Sequence, residues 1–230
     1  MRQKYKYLNR TIAFHNKGYL TKGLEFQRQY PNENVVRFVK SKFKKKASFL
    51  DLGCGSGRHI SFLNSENHNV DGVDFSKEAI KILKKLNLNS HLLIDYLPEL
   101  KSIKKKYDGI IDCFTSYTLK RRDFEDYVIR IKKLLKKNGH FHLQTLSINS
   151  HLFKYYKPSK KISLYSLNRI SRKDSPFPKD DYLFTFYDLK YLYKIFKKAK
   201  FKDINIEVHS RTYNNKKEYF EYFVLEAKNI

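Results

Sequence analysis

Acidic residues are scarce in this chain: 23 Asp and Glu stand against 48 Lys and Arg, a formal charge of +25. Cysteine is scarcer. Only Cys54 and Cys113 occur in 230 residues, which excludes a disulfide-stapled secreted domain and fits a reducing compartment. Neither has metal-ligand spacing, so no metal is expected. No apolar run approaches the roughly 20 residues needed to span a bilayer. The basic start at Arg2, Lys4 and Lys6 is not followed by a signal-like apolar core, so the expectation is a cytoplasmic protein with no membrane partner. The length suits one domain, residues 1–230, with little left over. Glycine is also sparse, with 8 in all, and three of them are concentrated at Gly53, Gly55 and Gly57.

The run Phe49-Leu50-Asp51-Leu52-Gly53-Cys54-Gly55-Ser56-Gly57-Arg58 reads as a buried strand, a glycine-rich turn and the start of a helix. Glycine takes φ > 0 and carries no Cβ, so backbone amides and a helix N-terminus can come close to a ligand. A dinucleotide fingerprint needs its third glycine where Arg58 stands; here Gly57 comes one residue early. Glycine turns after strands also serve tight packing alone, and these three residues by themselves leave that reading open. Val70-Asp71-Gly72-Val73-Asp74-Phe75-Ser76 adds a second strand ending in an acid. Ser76 is placed to cap a helix carrying Ile80, Leu83 and Leu86 on one face. Asp74 lies roughly twenty residues past the glycines, where strand ends share one sheet edge and a carboxylate can accept ribose hydroxyls.

Further segments follow in order. His91 to Pro98 reads as a third strand and its exit, and Tyr107 to Phe114 as a fourth. A helix carrying Phe124, Tyr127, Val128, Ile131, Leu134 and Leu135 comes next, then a turn at Lys136-Lys137-Asn138-Gly139 into a strand at Phe141-His142-Leu143. Asp188 precedes a helix with Leu189, Leu192, Ile195, Phe196 and Ala199. Ile204, Ile206 and Val208 alternate as a strand, and Tyr222 to Leu225 form the last. From about Asn34 onward, the order and spacing resemble class I S-adenosylmethionine-dependent methyltransferases, with Lys137-Asn138 where many members carry Pro-Gly. The resemblance implies an α/β fold: a seven-stranded mixed, mostly parallel doubly wound sheet with helices on both faces and an antiparallel C-terminal strand pair. It implies S-adenosylmethionine as cofactor. Asp51 would help hold the methionyl amino group, Asp74 the ribose and Asp95 the adenine amino group. The cofactor set it implies is Asp51, Gly53, Cys54, Gly55, Gly57, Asp74, Phe75, Asp95, Tyr96 and Cys113.

Substrate choice is expected outside the shared sheet. Residues 1–33 form an N-terminal helical cap segment in which Phe14, Tyr19, Phe26 and Tyr30 mix with Arg10, Lys17, Lys22 and Arg28. Residues 147–182 form an insertion after the fifth strand, too long for an ordinary loop, which reads as a lid or short added helices. There Phe153, Tyr155, Tyr156, Tyr165 and Phe177 mix with Lys154, Lys160, Lys161, Arg169, Arg172 and Lys173. The mixture can close over a small substrate, an anionic one included; it can stack an exposed base; or its aromatics can simply pack the insertion down.

The lysines are spread in runs at 44–46, 104–106, 120–122, 132–137 and 197–200, many on polar helix faces where they need only water. Tyr117 and His142 are candidate bases or substrate-orienting groups, although this family has no single fixed catalytic side chain and each can equally be a packing residue. The expected activity is methyl transfer to an O, N or S nucleophile of a small molecule by in-line displacement. An RNA methyltransferase using the basic, aromatic-rich surface is the alternative, and a cofactor-binding protein without turnover is a third.

Overall fold

The computed structural model describes residues 6–157, 159–170 and 183–230. Helix α1 (Lys6–Lys22) and a 3-10 turn (Gly23–Phe26) precede α2 (Glu33–Lys42). Then come β1 (Ser48–Leu52), α3 (Arg58–Ser65), β2 (Asn69–Asp74), α4 (Lys77–Lys85), β3 (Ser90–Ile94), β4 (Tyr107–Cys113), α5 (Arg121–Leu134) and β5 (Leu135–Leu146). The chain continues through α6 (His151–Lys154), β6 (Lys160–Ser163), β7 (Ser166–Asn168) and β8 (Phe184–Thr185) to α7 (Leu189–Lys198), β9 (Lys202–Tyr213) and β10 (Glu218–Lys228).

The main sheet has seven strands in the order β3-β2-β1-β4-β5-β10-β9. β1 to β5 pair in parallel, and β10 runs antiparallel to both β5 and β9. Later strands are added on both sides of β1, so the turn leaving β1 opens at the switch point where α/β sheets hold ligands. Alternation along the strands divides the core. Phe49, Val70 and Ile111 meet Phe38, Ile60, Leu63, Ile80 and Leu83 from α2, α3 and α4. Leu50, Leu52, Val73 and Ile110 meet Phe124, Tyr127, Ile131, Leu192 and Phe196 from α5 and α7. Each such buried side chain contributes roughly 1.5–3 kcal/mol relative to exposure. The cap residues behave as their positions predict: Ser76 Oγ accepts from Ala79 N and Asp188 Oδ1 accepts from Tyr191 N.

Three local expectations are corrected. Leu135 opens β5 and does not close α5. Lys136 to Gly139 is a kink within β5, where Asn138 sits at φ 62 and the register against β4 shifts. Asn229 holds that kink by accepting from Asn138 N and donating to Gly139 O. The segment after β5 contains a second, three-stranded sheet, β6-β7-β8, beside the short helix α6. Its last strand lies beyond the expected end at residue 182. Arg121 pins this sheet down: its guanidinium sits 3.2 Å from the Tyr165 ring centroid and 4.2 Å from that of Tyr191, and donates to Asp188 Oδ2 at 2.9 Å. The predicted insertion residues Arg172, Lys173 and Phe177 lie outside the described residues.

Candidate cofactor site

The turn after β1 requires its glycines, since Gly53, Gly55 and Gly57 have φ of +66°, +50° and +77°. A side chain is strained there. Space is short as well: a Cβ on Gly53 would strike Thr115, and one on Gly55 would strike Gln27 and Tyr19. Gly53 N and Cys54 N both donate to Val73 O, at 2.7 and 3.0 Å, stitching the turn to β2. Gly57 then caps α3, whose N-terminus faces the same edge.

Three acids gather along this edge. Asp51 is 1% exposed, and its Oδ2 has no hydrogen-bond partner. Its Oδ1 lies 3.4 Å from His59 Nδ1, while Asn32 N donates to His59 Nε2, also at 3.4 Å. A backbone N–H can only donate, so the His59 proton belongs on Nδ1 and points at Asp51. The orphaned Oδ2 is an acceptor that a ligand's ammonium group fits. Asp74 ends β2 with Oδ1 accepting from Ser76 N at 2.8 Å and Oδ2 from Gly55 N at 3.0 Å. Burial pushes its pKa up to about 6, against the opposing pull of these donors. A carboxylate has about four lone-pair sites, so hydroxyl donors can still be served.

Asp95 Oδ1 accepts from Tyr96 N at 2.7 Å, and its Oδ2 accepts from Ser102 N at 2.6 Å and from Ser102 Oγ. This carboxylate therefore organises the loop after β3 as well as lining the edge. Asp95, Phe75, Tyr96 and Thr115 border a cavity of about 380 Å³ that α1 closes with Tyr7 and Thr11.

Cys54 is buried and Cys113 partly so; both are free thiols. Burial pushes the Cys113 thiol up to about 12 and raises that of Cys54 as well. Tyr117 is stacked on Phe184 at 5.1 Å within an apolar cluster with Leu146, Leu167 and Phe186. His142 is fully buried in mid-strand, its ring 5.0 Å from that of Phe38 on α2 and its Nε2 3.0 Å from Gln144 Nε2. Burial lowers its pKa. It pairs in register with Ile111, two residues short of the Cys113 end of β4, and does not line the cavity. His142 thus stands in the core of the sheet, packed under α2.

The sequence did not single out His59, Tyr19 or Gln27 for this site. Ser56 Oγ donates to Arg28 O at 3.0 Å, and Ser76 Oγ to Asn16 Oδ1 at 2.7 Å, so the N-terminal segment is tied to both cofactor-edge turns. The lysine runs lie elsewhere. Those at 44–46, 104–106, 132–137 and 197–200 lead into β1, β4, β5 and β9, strands that all start at the edge opposite the glycine turn. Among the described residues no helix is long and apolar enough to cross a membrane, and no three or more His, Cys, Asp or Glu side chains are grouped to hold a metal ion.

A parallel sheet with a glycine turn at its switch point and ordered acids on the next strand ends defines a nucleotide-cofactor enzyme of the methyltransferase type. A family model described as a methyltransferase domain matches residues 24–206, and the chain belongs to that family. Its cofactor is S-adenosylmethionine. The ubiquinone biosynthesis O-methyltransferase of Pectobacterium atrosepticum is 28% identical over 111 residues, 47% of this chain and 45% of that protein. The tRNA U34 carboxymethyltransferase of Aliivibrio fischeri is 34% identical over 115 residues, 46% of this chain and 34% of that protein. The chain thus spans half or less of these relatives' length. A solved methyltransferase from Methanosarcina mazei superposes with a TM-score of 0.69 at 18% identity, covering 84% of this chain and 97% of that one. The 1,6-didemethyltoxoflavin-N1-methyltransferase of Burkholderia thailandensis, solved with its substrate and S-adenosylhomocysteine, gives 0.68 at 16%, covering 98% and 90%. At these identities the structural likeness is one of fold.

Proposed function

We propose that this methyltransferase acts on a small organic acceptor at an O, N or S atom. The observation that carries the reading is the separation of charge from the cofactor edge. A polynucleotide substrate would need cations around the mouth to neutralise its phosphates, yet four of the five lysine-rich runs sit at the far edge. The cavity is walled largely by apolar side chains, Leu8, Ile12, Phe75, Leu97, Leu119 and Leu183, with Lys101 and Lys120 among them, and a buried apolar cluster of Tyr117, Leu146, Phe184 and Phe186 backs the neighbouring segment. Such a wall suits a planar organic molecule and keeps competing water out. The small-molecule relatives agree in kind. Lys120 and Lys101 on the cavity wall leave room for an anionic group on the acceptor.

S-adenosylmethionine supplies a methyl group already activated on sulfonium sulfur, so the chain's task is mainly alignment. Asp51 Oδ2 is suited to the methionyl ammonium and Asp74 to the ribose hydroxyls. Phe75, Asp95 and Tyr96 border the space for the adenine. Thr115 and Thr118 lie at the cavity wall nearest the apolar cluster. The free thiols Cys54 and Cys113 suit a reducing cytoplasm.

RNA methylation is the second reading, favoured by the tRNA-modifying relatives. Methyl-labelled cofactor and fractionated cell extract separate the two. Label in the small-molecule pool, unchanged as salt is raised, is the expected result. Label in RNA that falls steeply with ionic strength would replace this reading with the second.

A further inference from the structure

We propose that β9 is a self-association edge, on which a second copy of this chain adds its own β9 antiparallel across a two-fold axis at Val208. The inference goes beyond the methyl-transfer reading and does not depend on the acceptor.

β9 is the outermost strand of the main sheet, and among the described residues only β10 pairs with it. All of its residues are exposed or half-buried. A row of backbone N–H and C=O groups therefore faces outward, and such an edge is normally blunted by shortness, lysine, proline or a bulge. β9 keeps its blunting to one end. It has no proline, its only lysine is Lys202, and the left-handed Asp203 (φ 49°) lies where the register against β10 shifts. From Asn205 to Arg211 the pairing with β10 is regular.

Charge and register select a second copy as the occupant. The strand is electrically balanced, Lys202 and Arg211 against Asp203 and Glu207, in a chain of +25. A like-charged copy meets no net repulsion from it. An antiparallel two-fold also turns the two basic rims to opposite ends of the joined sheet, because the run at 197–200 leads into the start of β9. The regular stretch is centred on Val208, which is 50% exposed and follows the partly buried Ile204 and Ile206 on the same face. Pairing about Val208 sets Glu207 opposite the partner's His209 on both sides of the axis, and opposed charges across strands are favourable. Pairing about Glu207 would oppose two carboxylates, and pairing about Ile206 would run into the bulge at Asp203.

Sedimentation of the nuclease-treated full chain tests the edge. It is expected to run as a dimer at about 10 μM, as for an interface of ordinary size, and to stay one as salt is raised, whereas copies bridged by nucleic acid would separate. Val208→Lys opposes two lysines on the axis and should raise the dimer Kd at least roughly tenfold, with S-adenosylhomocysteine affinity within about twofold of the parent. Val208→Thr, still β-branched, should remain dimeric. Register is read by cross-linking. Opposed residues of an antiparallel pair have Cα atoms about 4.5–5.5 Å apart, inside the disulfide range, so Val208→Cys should form an inter-subunit disulfide when oxidised glutathione takes up the two electrons. Ser210→Cys, facing the partner's Ile206, should not. A parent that is monomeric throughout or separates with salt, a dimer that Val208→Lys leaves intact, or a cross-link at position 210 in preference to 208 overturns the proposal.

Discussion

Asp74 Oδ2 accepts the backbone N–H of Gly55 at 3.0 Å, so the acid that ends β2 holds in place the turn that follows β1. The same carboxylate is expected to serve the ribose, and its raised pKa gives both roles a pH signature. With a folded pKa of about 6 against an ordinary 3.8, the folded state binds this proton more tightly than the unfolded one. The stability contributed by Asp74 is full below about pH 4 and is lost as pH rises through about 6. Cofactor affinity runs the other way, since the ionised form is the better acceptor, and should increase between about pH 5 and 7. Asp74→Asn should flatten both trends. Asp74→Ala should weaken S-adenosylmethionine binding by about 1–3 kcal/mol. Calorimetry across that pH range, with thermal melts alongside, checks the sign of each.

Two glycines with similar φ separate backbone strain from crowding. Around Gly23 (φ +57°) a Cβ would have nothing within 4 Å, whereas at Gly55 (φ +50°) it would meet Gln27 and Tyr19. Gly23→Ala should cost only the left-handed backbone strain, about 1–2 kcal/mol, and leave cofactor binding intact. Gly55→Ala should cost more and weaken S-adenosylhomocysteine at least about tenfold. Melts and calorimetry on the pair would show whether the N-terminal segment is seated against the turn as described.

Arg121 joins α5, α7 and the small sheet through Tyr165, Tyr191 and Asp188. Arg121→Ala should release the sheet and destabilise the protein by about 2 kcal/mol, the loss of a charged hydrogen bond and its stacking. Because the contact involves none of the acids at the cofactor edge, the KM for the acceptor should rise while S-adenosylhomocysteine affinity stays unchanged. Steady-state kinetics beside calorimetry resolve the two.

Neither thiol is a good nucleophile in the fold, since Cys113 is pushed up to about 12 and Cys54 is raised as well. Alkylation by iodoacetamide near neutral pH should be slow in the native protein and fast in denaturant. Rapid native labelling of Cys113, read by mass spectrometry, would show that the Arg58 side of the mouth opens readily.

The sequence carried those parts of the fold that depend on local chemistry. A turn that needs three left-handed residues announces itself as Gly53, Gly55 and Gly57, and caps such as Ser76 and Asp188 act within three residues of themselves. Strands in the middle of the sheet are legible as apolar runs, but burial on both faces hides direction. For that reason Phe141-His142-Leu143 could not reveal that His142 points at Phe38. The small sheet was missed because β6, β7 and β8 have only four, three and two residues, too few for alternation to register. Tyr19, named only as part of the N-terminal segment, was not placed at the glycine turn for a different reason: its meeting with Gly55 spans 36 residues of sequence and leaves no periodic trace.

The kink in β5 at Asn138 has a mate at Asn229, and four of the five basic runs gather along the same rim of the sheet. The molecule is thus electrically lopsided, with most of its basic runs on the underside, away from the cofactor edge. On a negatively charged support it would settle with the underside down and the mouth facing outward, so an immobilised preparation would remain open to cofactor and acceptor together.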